Sequence, residues 1–173
     1  FKEGSNLIRA DIVLFVNGIP LVLIECKDPT DPYLTWEDAY NQIKKYENLV
    51  EDLFKYVQFS VAALENVRYF PNVPWLDKVE VSTWKEENKN EMDSIVEMLS
   101  KEKLLDILKN FIFIREEKQR VSKVLPRYMQ YKAANEIYKR VVNTLRGIER
   151  KKKGVVWHWQ GSGKTLTMIF AAY

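Results

Sequence analysis

The sequence predicts an α/β protein in two parts: a small mixed-sheet unit, then the opening of a phosphate-loop unit. Three observations carry that reading. Two nearly continuous apolar runs, residues 8–16 and 19–26, flank Asn17-Gly18, as strands covered on both faces and joined by a tight turn would. A helical pattern and further short strands follow, so the order is strand, strand, helix, strand. Near the other end, Val155-Val156-Trp157, Gln160-Gly161-Ser162-Gly163 and Lys164 onward read as strand, glycine loop and helix. That is the context a phosphate-binding loop requires.

The bulk properties set bounds on this reading. The 173 residues suffice for one or two small domains with real cores, and 46% hydrophobic with 29% charged residues is ordinary for a soluble globular protein. A net charge of +3 is compatible with a nucleic-acid partner without demanding one. Cys26, the single cysteine, has no internal disulfide partner, which fits a reducing cytoplasm. No apolar run approaches the roughly 20 residues a membrane span needs, and no signal peptide is visible. The chain starts at Phe1 rather than methionine and stops at Tyr173 inside an apolar pattern. It is expected to be a piece of a longer protein.

The first hairpin carries acids inside its apolar runs, Asp11 and Glu25, with Lys27 two residues after the second. Burying even a neutral polar group without a partner costs about 2–7 kcal/mol, so buried carboxylates need a reason. The reason constrains the register. A plain two-residue Asn17-Gly18 turn pairs Val16 with Ile19 and Asp11 with Ile24, which puts Asp11 and Glu25 on opposite faces. Convergence requires an odd loop or a bulge. The expected solution is a three-residue Val16-Asn17-Gly18 loop with Gly18 in the left-handed region.

Asp28-Pro29-Thr30-Asp31-Pro32 follows as a loop. Thr35 is placed to cap a helix from about Trp36 to Phe54, with Glu37 and Asp38 in its first turn. Ala39, Ile43, Tyr46, Leu49, Val50 and Leu53 recur at helical spacing. Val57–Ala63, Val67–Phe70 and Val79–Thr83 read as strands. Beyond them the character changes: 85–90 is charged, Met92–Leu99 and Lys103–Ile112 are amphipathic helices, Phe111–Ile114 is too short to assign, and Glu116–Lys123 is the polar end of a connecting region. Arg127–Arg146 is a long helix ending near Gly147, and a basic run, Arg150-Lys151-Lys152-Lys153, precedes Gly154. The expected division is residues 1–84, a helical connection over 85–126, and the start of a second domain over 127–173.

Each candidate site has a plainer alternative. In Gly161-Ser162-Gly163-Lys164-Thr165, glycines let backbone pass close to phosphate oxygens, Lys164 reaches the β- and γ-phosphates, and Thr165 offers a hydroxyl to a nucleotide-bound Mg²⁺. The usual pattern has glycine where His158 stands; that residue, the only histidine, is read as shaping the loop rather than as catalytic. Gln130, 34 residues before Lys164, is either an adenine-reading amide or a surface glutamine. Asp11 and Glu25, with the Cys26 backbone carbonyl as a third oxygen, have the hard-donor chemistry that suits Mg²⁺. Lys27 shares the Glu25 face, where it would orient or deprotonate an attacking water and offset transition-state charge. An exposed strand face is the plainer reading of that weak spacing. Gln42 and Tyr46, at i and i+4, project together from one helix face, either as surface and core residues or at the rim of the metal site.

Taken together, Asp11, the Glu25-Cys26-Lys27 strand, the Gln42-to-Tyr46 helix and VVWHWQGSGKT with Gln130 before it resemble the motor-nuclease (R) subunit of type I restriction-modification enzymes. The resemblance implies a restriction-endonuclease-like nuclease fold followed by a RecA-like helicase motor. It implies ATP-driven translocation on double-stranded DNA, with Mg²⁺-dependent cleavage away from the recognition sequence. It also implies specificity (S) and methyltransferase (M) partners, and no membrane. By the same resemblance Asp11, Glu25 and Lys27 are catalytic, Gln42 and Tyr46 support them, and Gln130, Gly161, Ser162, Gly163, Lys164 and Thr165 bind nucleotide. Another ATP-dependent helicase-nuclease, or a non-catalytic P-loop protein with a vestigial nuclease domain, are the alternatives.

Overall fold

The computed structural model describes residues 1–117, 120–150 and 153–172. Of the expected basic run, Lys151 and Lys152 lie outside these residues. The described chain opens on a miniature hairpin, β1 (Lys2–Glu3) and β2 (Asn6–Leu7), turned at Gly4 with φ of 58°. The sequence reading did not anticipate it. The main hairpin follows as β3 (Ile12–Val16) and β4 (Ile19–Cys26). The first strand is shorter than the expected 8–16; Ile8 is buried but lies before the ladder.

Thr35 caps α1 (Trp36–Leu49): its hydroxyl accepts from the Glu37 amide at 3.2 Å, and the Asp38 carboxylate accepts from the Thr35 amide at 2.7 Å. That reciprocal arrangement satisfies donors the first turn leaves open. The helix was expected to continue to Phe54, but the backbone leaves helical geometry at Val50 (φ −135°, ψ 71°) and resumes as α2 (Glu51–Phe54). Val50 is buried, and the break aims its side chain, with Leu53 and Phe54, into the core cluster that also holds Ile43 and Val57. Then come β5 (Phe59–Ala63) and β6 (Val67–Pro71). The expected strand at Val79–Thr83 is reduced to one bridge, Tyr69 to Ser82.

The sheet order is β3-β4-β5-β6. β4 and β5 run parallel, connected across α1 and α2, while the outer pairings are antiparallel. Alternation sorts the side chains onto two faces. Leu23, Ala62 and Phe70 pack beneath α1 with Ala39, Ile43 and Val57. Val22, Ile24, Phe59, Val61 and Tyr69 face the other way, against Trp84 and the helices that follow. Glu25 and Lys27 therefore share the α1 face with Leu23.

The amphipathic helices appear as α3 (Glu91–Met98) and α4 (Lys101–Asn110). Residues 113–124, expected to be unassigned and then polar connection, instead form an antiparallel pair, β7 (Phe113–Glu117) and β8 (Arg120–Val124). The helix α5 (Tyr128–Leu145) matches its expected span within two residues, and Gly147 follows with φ of 72°. The last helix, α6 (Lys164–Ala172), packs on α5. Val155-Val156-Trp157 is not a strand. None of the described sheets offers it a neighbour, and Val155 and Trp157 stand 89% and 88% exposed. A lone extended segment has no ladder to hold it.

Candidate functional site

The acidic cluster is assembled by a hairpin whose register differs from expectation in route but not in outcome. The turn is the two-residue Asn17-Gly18 type, both residues at positive φ (51° and 80°), with Val16 paired to Ile19. It is not the expected three-residue loop. A bulge does the work instead: Phe15 pairs with Pro20 but Leu14 with Val22, so Leu21 is the extra residue. Pro20 has no N–H to give a ladder, which is why the irregularity sits beside it. The shifted register runs on to Ile12 and Ile24, and one step further places Asp11 opposite Glu25 on the α1 face.

There the side chains meet. An Asp11 carboxylate oxygen accepts from the Cys26 amide at 2.9 Å, which pins it between Glu25 and Lys27. Glu25 is buried at 2% exposure, with Lys27 Nζ 3.5 Å from its Oε1. Gln42 ties the set together. Its amide oxygen accepts from Lys27 Nζ, while its amide nitrogen donates to Glu25 Oε1 and to the Tyr46 hydroxyl. The Tyr46 hydroxyl spends its own proton on the Arg9 carbonyl at 3.0 Å. Every donor and acceptor of the Gln42 amide is used, so the amide has one orientation. The pair from α1 thus sits at the rim of the cluster rather than in solvent.

The electrostatics leave one atom unanswered. Glu25 Oε2 is buried without a hydrogen-bond partner. Burial raises the Glu25 pKa and the Asp11 charge raises it further, with Lys27 opposing both. The Cys26 thiol, exposed and free, is also raised, by desolvation first and then by Asp11 and Glu25. A divalent cation beside Glu25 Oε2 would relieve that excess negative charge, and carboxylate oxygens are the donors magnesium prefers. Among the described residues no group of three or more His, Cys, Asp or Glu side chains is placed to hold a metal. The protein side of such a site would be two carboxylates and a backbone carbonyl.

The glycine loop is formed as expected. Gly161 and Gly163 both take φ of 79°, where other residues are strained. Lys164, first residue of α6, turns back so that its ammonium donates to the carbonyls of His158 and Trp159 at 3.3 and 3.2 Å. Thr165 is exposed on the first turn. Ser162 Oγ is buried without a partner. Gln130 is not a surface glutamine. Buried at 3% exposure, it accepts from the Arg127 amide at 2.9 Å and donates to the carbonyls of Ser162 and Gly163 at 3.1 and 3.4 Å. A Cβ on Gly163 would collide with that amide nitrogen. The loop is a cradle that only glycine fits, held from behind by α5.

Two polar groups escaped the sequence reading. Glu47, on α1, is 1% exposed; it pairs with Lys44 and accepts from Asn72 at 2.8 Å, and Asn72 in turn accepts from Ser60 at 2.9 Å. Lys123, on β8, points at the Gln58 carbonyl, 3.1 Å away. Neither has a local signal. Glu47 stands at helical spacing with Ala39 and Ile43, on the buried face of α1, but its partner Asn72 arrives from the end of β6.

Comparison with known proteins was consistent in both halves. Residues 1–79 match the family described as type I restriction enzyme R protein N terminus, and residues 129–173 match the SWI2/SNF2 ATPase family. Over 99% of its length the chain is 41% identical to the putative type I restriction enzyme MjaVIIIP endonuclease subunit of Methanocaldococcus jannaschii, covering 17% of that protein. It is 31% identical over 99% of its length to the type I restriction enzyme HindI endonuclease subunit of Haemophilus influenzae, again covering 17%. A Staphylococcus aureus type I endonuclease subunit is 29% identical over 98% of the chain. The chain spans about one sixth of the length of these relatives.

Proposed function

The chain belongs, through residues 1–79, to the type I restriction enzyme R-protein family, and from that premise we propose that its acidic cluster is the DNA-cutting centre of an ATP-dependent restriction subunit. Residues 1–84 are the nuclease core, 85–126 connect it, and 127–173 open a RecA-like motor that translocates double-stranded DNA in the cytoplasm. Specificity and methyltransferase subunits would choose the sequence; this subunit would move and cut.

The observation that carries the reading is the Gln42 amide, which spans Glu25 and Lys27 while Asp11 is fixed on the amide between them. Two acids and a lysine on one sheet face, locked by a helix, are what a hydrolytic centre for a phosphodiester needs. Asp11, Glu25 and the Cys26 carbonyl would hold Mg²⁺, which when bound acidifies water and offsets charge on the phosphate. Lys27, oriented by Gln42, would orient the attacking water or take its proton and, once charged, offset charge developing on the phosphate. Tyr46, anchored on the Arg9 carbonyl, keeps Gln42 from rotating. In the motor half, Gly161, Ser162 and Gly163 would cradle the ATP phosphates, with Lys164 and Thr165 on the β- and γ-phosphates and their Mg²⁺. Gln130 would support the loop through its bonds to the Ser162 and Gly163 carbonyls, and to read an adenine edge its amide would have to give up those bonds and the one from the Arg127 amide.

The test uses the full-length subunit assembled with its partners, on plasmid DNA with Mg²⁺ and ATP. Lys27→Ala should abolish cleavage while ATP hydrolysis persists. Cleavage at the wild-type rate would sink the nuclease assignment. Lys164→Ala should lose ATP hydrolysis and, with it, translocation-dependent cleavage; a retained ATPase would remove the motor assignment.

A further inference from the structure

The helix that carries Gln42 is tied down along both of its flanks. On α1, Ala39, Ile43 and Glu47 form the buried stripe that faces the sheet. Gln42 and Tyr46 stand on one side of that stripe and reach Glu25, Lys27 and the Arg9 carbonyl. Tyr40 and Lys44 stand on the other side. There the Tyr40 ring meets Phe70 of β6 with centroids 4.7 Å apart, and the Lys44 ammonium donates to the Leu76 carbonyl at 2.9 Å.

Glu47 is the member of the stripe that apolar packing does not explain. One oxygen of its buried carboxylate pairs with Lys44, and the other accepts from the Asn72 amide at 2.8 Å. The Asn72 amide oxygen accepts in turn from the Ser60 hydroxyl at 2.9 Å, and both residues are buried. Ser60 lies on β5, two residues before Ala62, the register partner of Glu25. A buried ion pair is weak evidence for stability, since well-packed apolar side chains of similar volume often serve as well. What the polar chain supplies is direction. Burial of Ala39 and Ile43 is non-directional and does not fix how far the helix is rolled about its axis; a satisfied chain of hydrogen bonds does.

The tolerance for roll is small. A side-chain tip about 5–6 Å from a helix axis moves about 1 Å when the helix rolls by about 10°. Misplacement by about 1 Å is enough to cost about 100-fold in rate. Gln42 has to meet Glu25 and Lys27 with one amide.

We propose that Glu47 is a positioning residue of the acidic cluster: through Asn72 and Ser60 it sets the roll of α1 at which the Gln42 amide meets Glu25 and Lys27 together. The proposal rests on the reading of that cluster as a metal-dependent nuclease centre. It gives the buried acid a role without placing it on metal or DNA.

The test uses the full-length subunit assembled with its partners, with Glu47→Leu, Glu47→Gln, Ser60→Ala and Lys27→Ala beside the wild type. Two quantities are read. One is the Mg²⁺ concentration that gives half-maximal plasmid cleavage. The other is Mn²⁺ binding without nucleotide or DNA, followed by the electron paramagnetic resonance of the free ion. Glu47→Leu should raise the first and weaken the second about tenfold or more, with ATP hydrolysis unchanged. Ser60→Ala, a smaller change at the far end of the same chain, should shift both in the same direction, and it decides the matter if Glu47→Leu does not fold. Glu47→Gln keeps an oxygen for Asn72 and should stay close to the wild type in both. Wild-type Mg²⁺ dependence and Mn²⁺ affinity in Glu47→Leu and Ser60→Ala, or equal losses in Glu47→Leu and Glu47→Gln, would overturn the positioning role. The nuclease reading stands in that case if Lys27→Ala still abolishes cleavage. If Lys27→Ala cuts as the wild type does, that reading falls and the role of Glu47 falls with it.

Discussion

Glu25 binds its proton more tightly than a free glutamate, because burial and then Asp11 penalise its charge while Lys27 only partly offsets them. The sign of its effect on stability follows. Between the unfolded pKa of 4.5 and the higher folded one, the folded state holds the extra proton, so stability falls as pH rises through that window. Above it the cost is constant. Glu25→Gln should therefore unfold at a higher temperature than the wild type at pH 7.5 in magnesium-free buffer, and the gain should vanish as pH is lowered to about 4.5 and below; a gain that persists in acid would contradict the cause given. Gln42 acts at one remove, by orienting Lys27 and Glu25. Partners of that kind typically account for about 10–100-fold in metal affinity or activity. Gln42→Leu should lower the cleavage rate by about that factor in an Mg²⁺ titration while leaving ATP hydrolysis intact. The acids were legible because they interrupt apolar runs. Glu47 and Lys123 were not, since a charged residue on a helix or in a polar stretch reads as solvated until a distant element covers it.

At the scale of elements, local chemistry predicted well where the signal was local. The Thr35 cap is written in four residues and was found as expected; Thr35→Ala should cost about 1 kcal/mol in a urea titration. The helix it starts carries Gln42 and Tyr46, so the cap also sets where the cluster's second tier stands. The hairpin is the instructive failure. Asp11 and Glu25 converge through a bulge where the sequence reading expects an odd loop. Pro20 signals the bulge, since a residue without an N–H marks where a ladder breaks. Gly18, at φ of 80°, remains essential to the turn, and Gly18→Ala should destabilise by about 1 kcal/mol in the same titration. Val155-Val156-Trp157 and the β7-β8 pair failed for mirror-image reasons. Strand character in sequence is not strand formation: the apolar triplet has no neighbour, while the polar 120–124 segment has β7 beside it.

Across the whole molecule, one hydrophobic cluster passes through all three expected segments. It joins Val22, Tyr69 and Trp84 of the first, Ile107 and Phe111 of the middle, and Ala134 and Phe170 of the last. Phe170 meets Phe111 and Phe113 with ring centroids 5.1 and 5.5 Å apart. The helix that follows the glycine loop is thus seated on the connecting region as well as on α5. Phe170→Ala should cost about 3–5 kcal/mol, and hydrogen exchange should show the loss spreading into α4 and β7 rather than staying in α6. Protection lost in α6 alone would mean that the cluster is not one cooperative unit.

The sequence by itself determined the α/β class, the capped helix, the glycine loop and the identities of the acids and lysine, because each is encoded in a few neighbouring residues. The mixed sheet, the bulge that lets Asp11 face Glu25, the Gln42 clasp, the seat of Gln130 behind the loop and the lone ammonium of Lys123 were decided by the tertiary structure. The Gln42 clasp, the seat of Gln130 and the Lys123 contact depend on partners 15, 32 and 65 residues away in the chain, and no local pattern specifies which distant group arrives. The buried Glu25 shows both halves of this. Its place in the chain could be read directly, but its missing partner is visible only once the fold has closed around it.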